Sequence, residues 1–121
     1  MTQVASLVAQ VLHDLDPDGK LYAPTISYLP GDVENHLEIL VEDDTGMGCG
    51  FSVDTSRSDK ELLCEISDRL PTAFVELYAV GLPLVPGTQR PATPEITGDT
   101  VIWKDPAGSA NWTCPVGQYT A

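Results

Sequence analysis

The strongest constraint on the fold is a pair of period-two runs. Leu37, Ile39 and Val41 alternate with His36, Glu38 and Glu42, while Met47, Cys49, Phe51 and Val53 alternate with Gly48, Gly50, Ser52 and Asp54. Successive side chains of a strand point to opposite faces, so each run predicts a strand with one buried face. The intervening Asp43 to Gly46 predicts a tight hairpin loop with Gly46 in the left-handed conformation. That register places both apolar sets on the same face. The opposite face carries Gly48 and Gly50, and glycine inside a strand marks close approach of a helix, a ligand or a partner to the backbone.

Helical spacing governs what flanks the hairpin. Val4, Leu7, Val8, Val11, Leu12 and Leu15 share one face and predict a helix over about residues 3–14, stopped by the turn Asp16-Pro17-Asp18-Gly19. Residues 21–29, rich in Tyr, Ile and Thr, predict a strand whose Pro24 suits an edge, and Pro30-Gly31-Asp32 turns it. Ser58 followed by Glu61 is a capping box, so a second helix starts near Asp59 with Leu62, Ile66, Leu70, Phe74 and Leu77 on its stripe. Pro71 is expected to break it near Leu70, and Gly81 to end it. Four prolines make residues 82–95 an extended loop; Thr100 to Lys104, the turn Asp105 to Gly108 and Ala110 to Val116 then predict a second hairpin. The expected fold is one α+β domain spanning residues 1–121. It has an antiparallel sheet of about five strands with two main helices on one face, in the order α-β-β-β-α-loop-β-β.

Charge bounds the partners. Six Lys and Arg against 18 Asp and Glu give a net charge of −12. Charged residues are 20% of the chain, below the ordinary share of about 25%, so the acidity comes from missing cations. Lys20, Arg57, Lys60, Arg69, Arg90 and Lys104 are scattered and form no stripe for phosphates, which argues against direct nucleic-acid binding. A field of this sign repels anionic membranes and favours encounter with basic partners or cations, besides keeping a small protein soluble. The first 19 residues carry no positive charge and no uniform apolar stretch, so no signal peptide is encoded there, and Glu76 with Pro71 and Pro83 on either side interrupts the most apolar stretch, leaving no span of about 20 residues for a membrane helix. Cys49, Cys64 and Cys114 are an odd set without a Cys-x-x-Cys pair, fitting a reducing, cytoplasmic compartment. Asn111-Trp112-Thr113 is then a chance match to a glycosylation acceptor.

Two constellations invite chemistry. Asp14-x-Asp16-x-Asp18-Gly19 resembles the opening of an EF-hand calcium loop, where alternating carboxylates converge on a hard cation. The likeness stops at the twelfth position, Thr25, where that loop supplies a bidentate glutamate, and Pro24 bars a following helix. Asp14, Asp16 and Asp18 are therefore candidate ligands for at most a weakly held calcium, with Glu38 or Glu42 as substitutes for the missing acid. A cysteine nucleophile would need His13 or His36 as base, but His36 and Cys49 fall on opposite faces of the hairpin. Trp103 and Trp112 are expected in the core rather than at an interface.

By elimination the chain is expected to be a non-enzymatic interaction domain. Its acidic hairpin edge, Glu38, Glu42, Asp43 and Asp44, would meet a basic protein, as an inhibitor, an immunity-type protein or a chaperone does. Secretion chaperones share the element order, without a matching motif. The alternatives are a calcium-binding module using the 14–25 loop and a small enzyme.

Overall fold

The computed structural model describes residues 2–108 and 112–120. Among them the chain runs α1 (Thr2–Leu15), β1 (Thr25–Pro30), β2 (His36–Glu42), β3 (Gly48–Asp54), α2 (Asp59–Tyr78), β4 (Thr93–Thr97), β5 (Thr100–Lys104) and β6 (Thr113–Pro115). The class is α+β as expected, but the single five-stranded sheet is replaced by two antiparallel three-stranded sheets, β1-β2-β3 and β4-β5-β6. The strand missing from the sequence expectation is β4, which begins inside the segment taken for a loop. Its Pro94 sits on an edge strand, where the absent N–H can face outward and cost no ladder bond. Leu84 bridges to Pro91, and Pro83, Val85 and Ala92 are buried, so this segment is packed rather than a solvated linker. The returning strand is short; Ala110, where it was expected to begin, lies outside the described residues together with Asn111 of the glycosylation-like triplet.

Helix α2 corrects a second expectation, because it passes through Pro71 unbroken. Proline in a helix interior costs about 3 kcal/mol by removing one bond and crowding the preceding turn. Burying each of Ile66, Leu70 and Phe74 contributes about 1.5–3 kcal/mol, so the stripe running across Pro71 outweighs that cost. The capping box forms as expected: Ser58 Oγ accepts from the Glu61 N–H at 3.3 Å, and Glu61 Oε1 accepts from the Ser58 N–H at 3.2 Å. The helix ends at Ala79, in the left-handed conformation at φ 56°, and not at Gly81. Gly81 answers to packing instead, since a Cβ there would meet Pro91 Cγ at 2.6 Å.

The hairpin has the register its alternation demands, with Leu37 opposite Val53, Ile39 opposite Phe51 and Val41 opposite Cys49. Met47 lies outside β3 and is exposed at the loop. Ile39, Val41, Phe51 and Val53 join Val4, Val8 and Val11 of α1, Leu62, Ile66, Leu70 and Phe74 of α2, and Val101 and Trp103 of β5 in one hydrophobic cluster. Helix α2 touches α1, β3, β4 and β5, so it bridges the two sheets instead of lying with α1 on one face of a single sheet. No helix among the described residues is long and apolar enough to cross a membrane.

Candidate functional site

Alternation and register assign the two faces of the first sheet. With Ile39, Val41, Phe51 and Val53 turned to the core, the other face holds Glu38, Leu40 and Glu42 of β2. Flanking them are Thr25, Ser27 and Leu29 of β1 on one side, and Gly48, Gly50 and Ser52 of β3 on the other. Glu38 is exposed and Leu40 and Glu42 are half-buried. Among the described residues, the side-chain atoms nearest a Cβ built at Gly48 or Gly50 are Glu42 Cγ and Leu40 Cδ1, both from β2 itself. Helix α2 packs on the opposite side, and among the described residues no helix covers this face.

That placement corrects the acidic edge expected from the sequence. Strand β2 is the central strand, so Glu38 and Glu42 project from a sheet face, while Asp43 and Asp44 stand in the turn at its end. Asp44 is exposed. Asp43 is committed to the turn: its Oδ1 accepts from Thr45 Oγ1 at 2.6 Å, the Thr45 N–H at 2.9 Å and the Met47 N–H at 3.0 Å. The Thr45 hydroxyl in particular holds its carboxyl below the usual range. Asp54 at the other end of β3 is held in the same way, with Ser56 Oγ at 2.6 Å and the Ser56 N–H at 2.9 Å lowering its pKa.

A signal that four separate residues obscure is the charge of the whole sheet. From Leu21 to Ser56 the chain has seven carboxylates, Asp32, Glu34, Glu38, Glu42, Asp43, Asp44 and Asp54, and no lysine or arginine. The cations lie elsewhere, and most are engaged. Arg90 grips Asp105 with Nε at 3.2 Å and a terminal nitrogen at 2.8 Å; Lys104 meets Glu95 at 3.1 Å, Lys60 meets Asp99 at 3.8 Å, and Arg69 meets Glu65 at 4.0 Å. The run was legible in the sequence as the gap between Lys20 and Arg57. What it lacked was the knowledge that one sheet contains the gap.

The Asp14, Asp16 and Asp18 triplet is pulled apart. Asp14 is fully buried and faces the second sheet: Oδ2 accepts from the Trp103 indole N–H at 2.7 Å and the Gly117 N–H at 2.6 Å, and Oδ1 from the Tyr119 N–H at 3.0 Å. His13 Nδ1 lies 3.0 Å from the same Oδ1. Asp16 turns into its own loop, where Oδ2 accepts from the Leu21 and Tyr22 N–H groups at 3.1 and 3.0 Å. Burial pushes its carboxyl up, but those N–H groups prevail and hold it below the usual range. Asp18 is exposed. Among the described residues no three His, Cys, Asp or Glu side chains gather to hold a metal ion. The calcium-loop spacing thus serves a helix stop and a buried anchor.

The three thiols are all held toward the protonated form. Cys49 Sγ donates to Glu76 Oε2 of α2 at 3.0 Å, and that bond, helped by burial and the glutamate's charge, pushes its pKa up to about 11. Burial also pushes Cys64 and Cys114 up. His36 sits opposite Asp54, six residues along the ladder from the Glu42 to Gly48 end, and its Nδ1 donates to the Glu34 carbonyl, not to a thiol. Trp103 is wholly buried as expected, and Trp112 is half-buried with its ring edge-on to Tyr119 at 6.2 Å. Comparison with protein-family models, curated proteins and solved structures finds no match.

Proposed function

We propose that this chain is a non-enzymatic interaction domain that binds a basic protein partner through its first sheet, in the manner of an inhibitor, an immunity-type protein or a chaperone. The observation carrying this reading is the cation-free stretch from Leu21 to Ser56 on a sheet whose outer face is uncovered. Like charges gathered without counterions repel one another and gain when a cationic surface arrives. The thiols, held protonated at neutral pH, offer no strong nucleophile for a competing catalytic reading.

Charge reversal tests it. Glu38→Lys with Glu42→Lys is compared with Asp59→Lys and Asp68→Lys, which changes net charge equally on α2. Each protein is immobilised and used to capture partners at about 50 mM and about 500 mM salt, a change that shortens electrostatic range severalfold. The expected result is a basic protein retained at low salt by wild type and by the α2 variant, and lost from the sheet variant. Retention that ignores salt, or equal loss from both variants, overturns the reading.

A further inference from the structure

Sheets that end in open edges recruit other strands unless the edge is blunted by proline, lysine, shortness or a covering element. Four strands here are edges: β1, β3, β4 and β6. Strand β1 is bracketed by Pro24 and ends on Pro30, β4 contains Pro94, and β6 is three residues long with Pro115 in it. Strand β3 has seven residues, no proline and no lysine; apart from the β2 ladder, its backbone bonds among the described residues come down to one at its very end, where the Asp54 carbonyl accepts from the Arg57 N–H at 3.2 Å. Among the described residues it is the edge that carries no proline and is not cut short, and it borders the acidic face.

The glycines of β3 point the same way. Neither Gly48 nor Gly50 has a positive φ, so the backbone does not require glycine. A Cβ at Gly50 would make ordinary contacts, 3.4 Å to the Ile39 carbonyl oxygen and 3.8 Å to Leu40 Cδ1. Glycine weakens a strand, and here neither conformation nor packing at position 50 asks for it. What the glycines do provide is a bare strip between the β3 edge and the acids of β2. A strand added beside β3 lies about 9.6 Å from β2, two strand spacings away, and a long basic side chain lying over glycine meets a glutamate reaching from the other side.

We propose that an extended, basic segment of the partner adds as a fourth strand along the outer edge of β3. Its lysine or arginine side chains lie across Gly48 toward Glu42 and across Ser52 toward Glu38, on either side of the bare Gly50. Main-chain bonds supply affinity, and the alternate side chains supply selectivity for positive charge. This rests on the acidic-sheet reading and adds the docking mode.

The test uses an extended peptide of about eight residues alternating lysine and threonine, long enough to span β3. Two further peptides of the same sequence carry backbone N-methyl groups on one or the other alternate set of residues. A strand pairs through one edge, so methylation of one set should weaken binding about tenfold or more, as loss of several N–H bonds predicts, while methylation of the other set leaves it intact. Amide exchange should slow in residues 48–54 and not in β1 or β4. Gly50→Val, which fits the sheet and fills the strip, should weaken the lysine peptide by about threefold or more. If both methylated peptides bind like the parent in a salt-sensitive manner, strand addition is overturned and the charge reading survives. Protection appearing on β1 or β4, or no binding of the parent peptide at low salt, also overturns it.

Discussion

Around β4–β6, Lys60 meets Asp99, Lys104 meets Glu95, Arg90 grips Asp105, and the buried Asp14 is saturated by Trp103, Gly117 and Tyr119. The stretch from Leu21 to Ser56 that builds β1–β3 has seven carboxylates and no lysine or arginine of its own, although Arg69 of α2 lies 5.7 Å over the Phe51 ring on its core face. The same chain therefore commits its acids to pairing with cations around one sheet, whereas around the other Asp43 and Asp54 serve turns and Glu38, Glu42 and Asp44 make no ion pair among the described residues. Exposed ion pairs each contribute little, about 0–1 kcal/mol, so the contrast teaches less about stability than about which surface still has electrostatic work to do.

Breaking the committed side should have the largest effect. Asp14→Ala leaves the Trp103 indole and two backbone N–H groups without acceptors in a dry site, each costing about 1–3 kcal/mol. The melting temperature should then fall by about 10 °C or more, measured by differential scanning calorimetry. A change under a few degrees would mean that the second sheet does not depend on this anchor.

Acid comes next. Asp16, Asp43, Asp54 and Asp105 are held below the ordinary 3.8, and Glu61 below 4.5. A group with a depressed folded pKa contributes stability that is complete above its unfolded pKa and lost as pH falls through the folded one. Melting temperature should therefore drop as pH falls below about 4. Relief of repulsion in the first sheet acts in the opposite sense. A midpoint that stays flat or rises down to pH 3 would show that the uncommitted carboxylates outweigh the committed ones.

Smaller still is the effect of Arg90→Met. Asp105 is buried and would lose its bidentate guanidinium, the main reason its carboxyl sits low, but it keeps the Ala107 N–H at 2.9 Å. A melting-temperature drop smaller than that of Asp14→Ala is expected, and a larger one would relocate the anchor of the second sheet. The least effect belongs to Glu38→Gln with Glu42→Gln, which should shift stability by no more than about 0.5 kcal/mol per site, with any gain greatest at low salt. A marked loss in chemical denaturation would show that these acids are structural after all.

What the sequence revealed was whatever is local. The stripe from Val4 to Leu15, the Leu37–Val53 alternation and the Ser58–Glu61 box all depend on neighbours within a turn or across a hairpin, and all appear where expected. Pro71 and Pro94 misled because proline acts locally, whereas the burial that overrides it, and the edge position that excuses it, are set by the tertiary fold. The Asp14 to Gly19 spacing gave no sign of the buried role of Asp14 for a related reason. Trp103 lies 89 residues away and Tyr119 lies 105 away, and no local pattern announces that they will claim the first aspartate. The acidic residues were found, but the sequence hid that β2 is central and that β3 is the exposed edge.

The Asp14 anchor has a consequence for how the molecule is made. Chains emerge from the ribosome N-terminus first, at roughly 5–20 residues per second, so α1 is complete long before its acceptors' partners exist. Until residues 103–119 have been synthesised, the carboxylate of Asp14 has only water for company and strongly resists being enclosed. The first helix can form early, but it cannot seat permanently, and nascent chains stalled short of Gly117 should remain open to proteases that the finished protein resists.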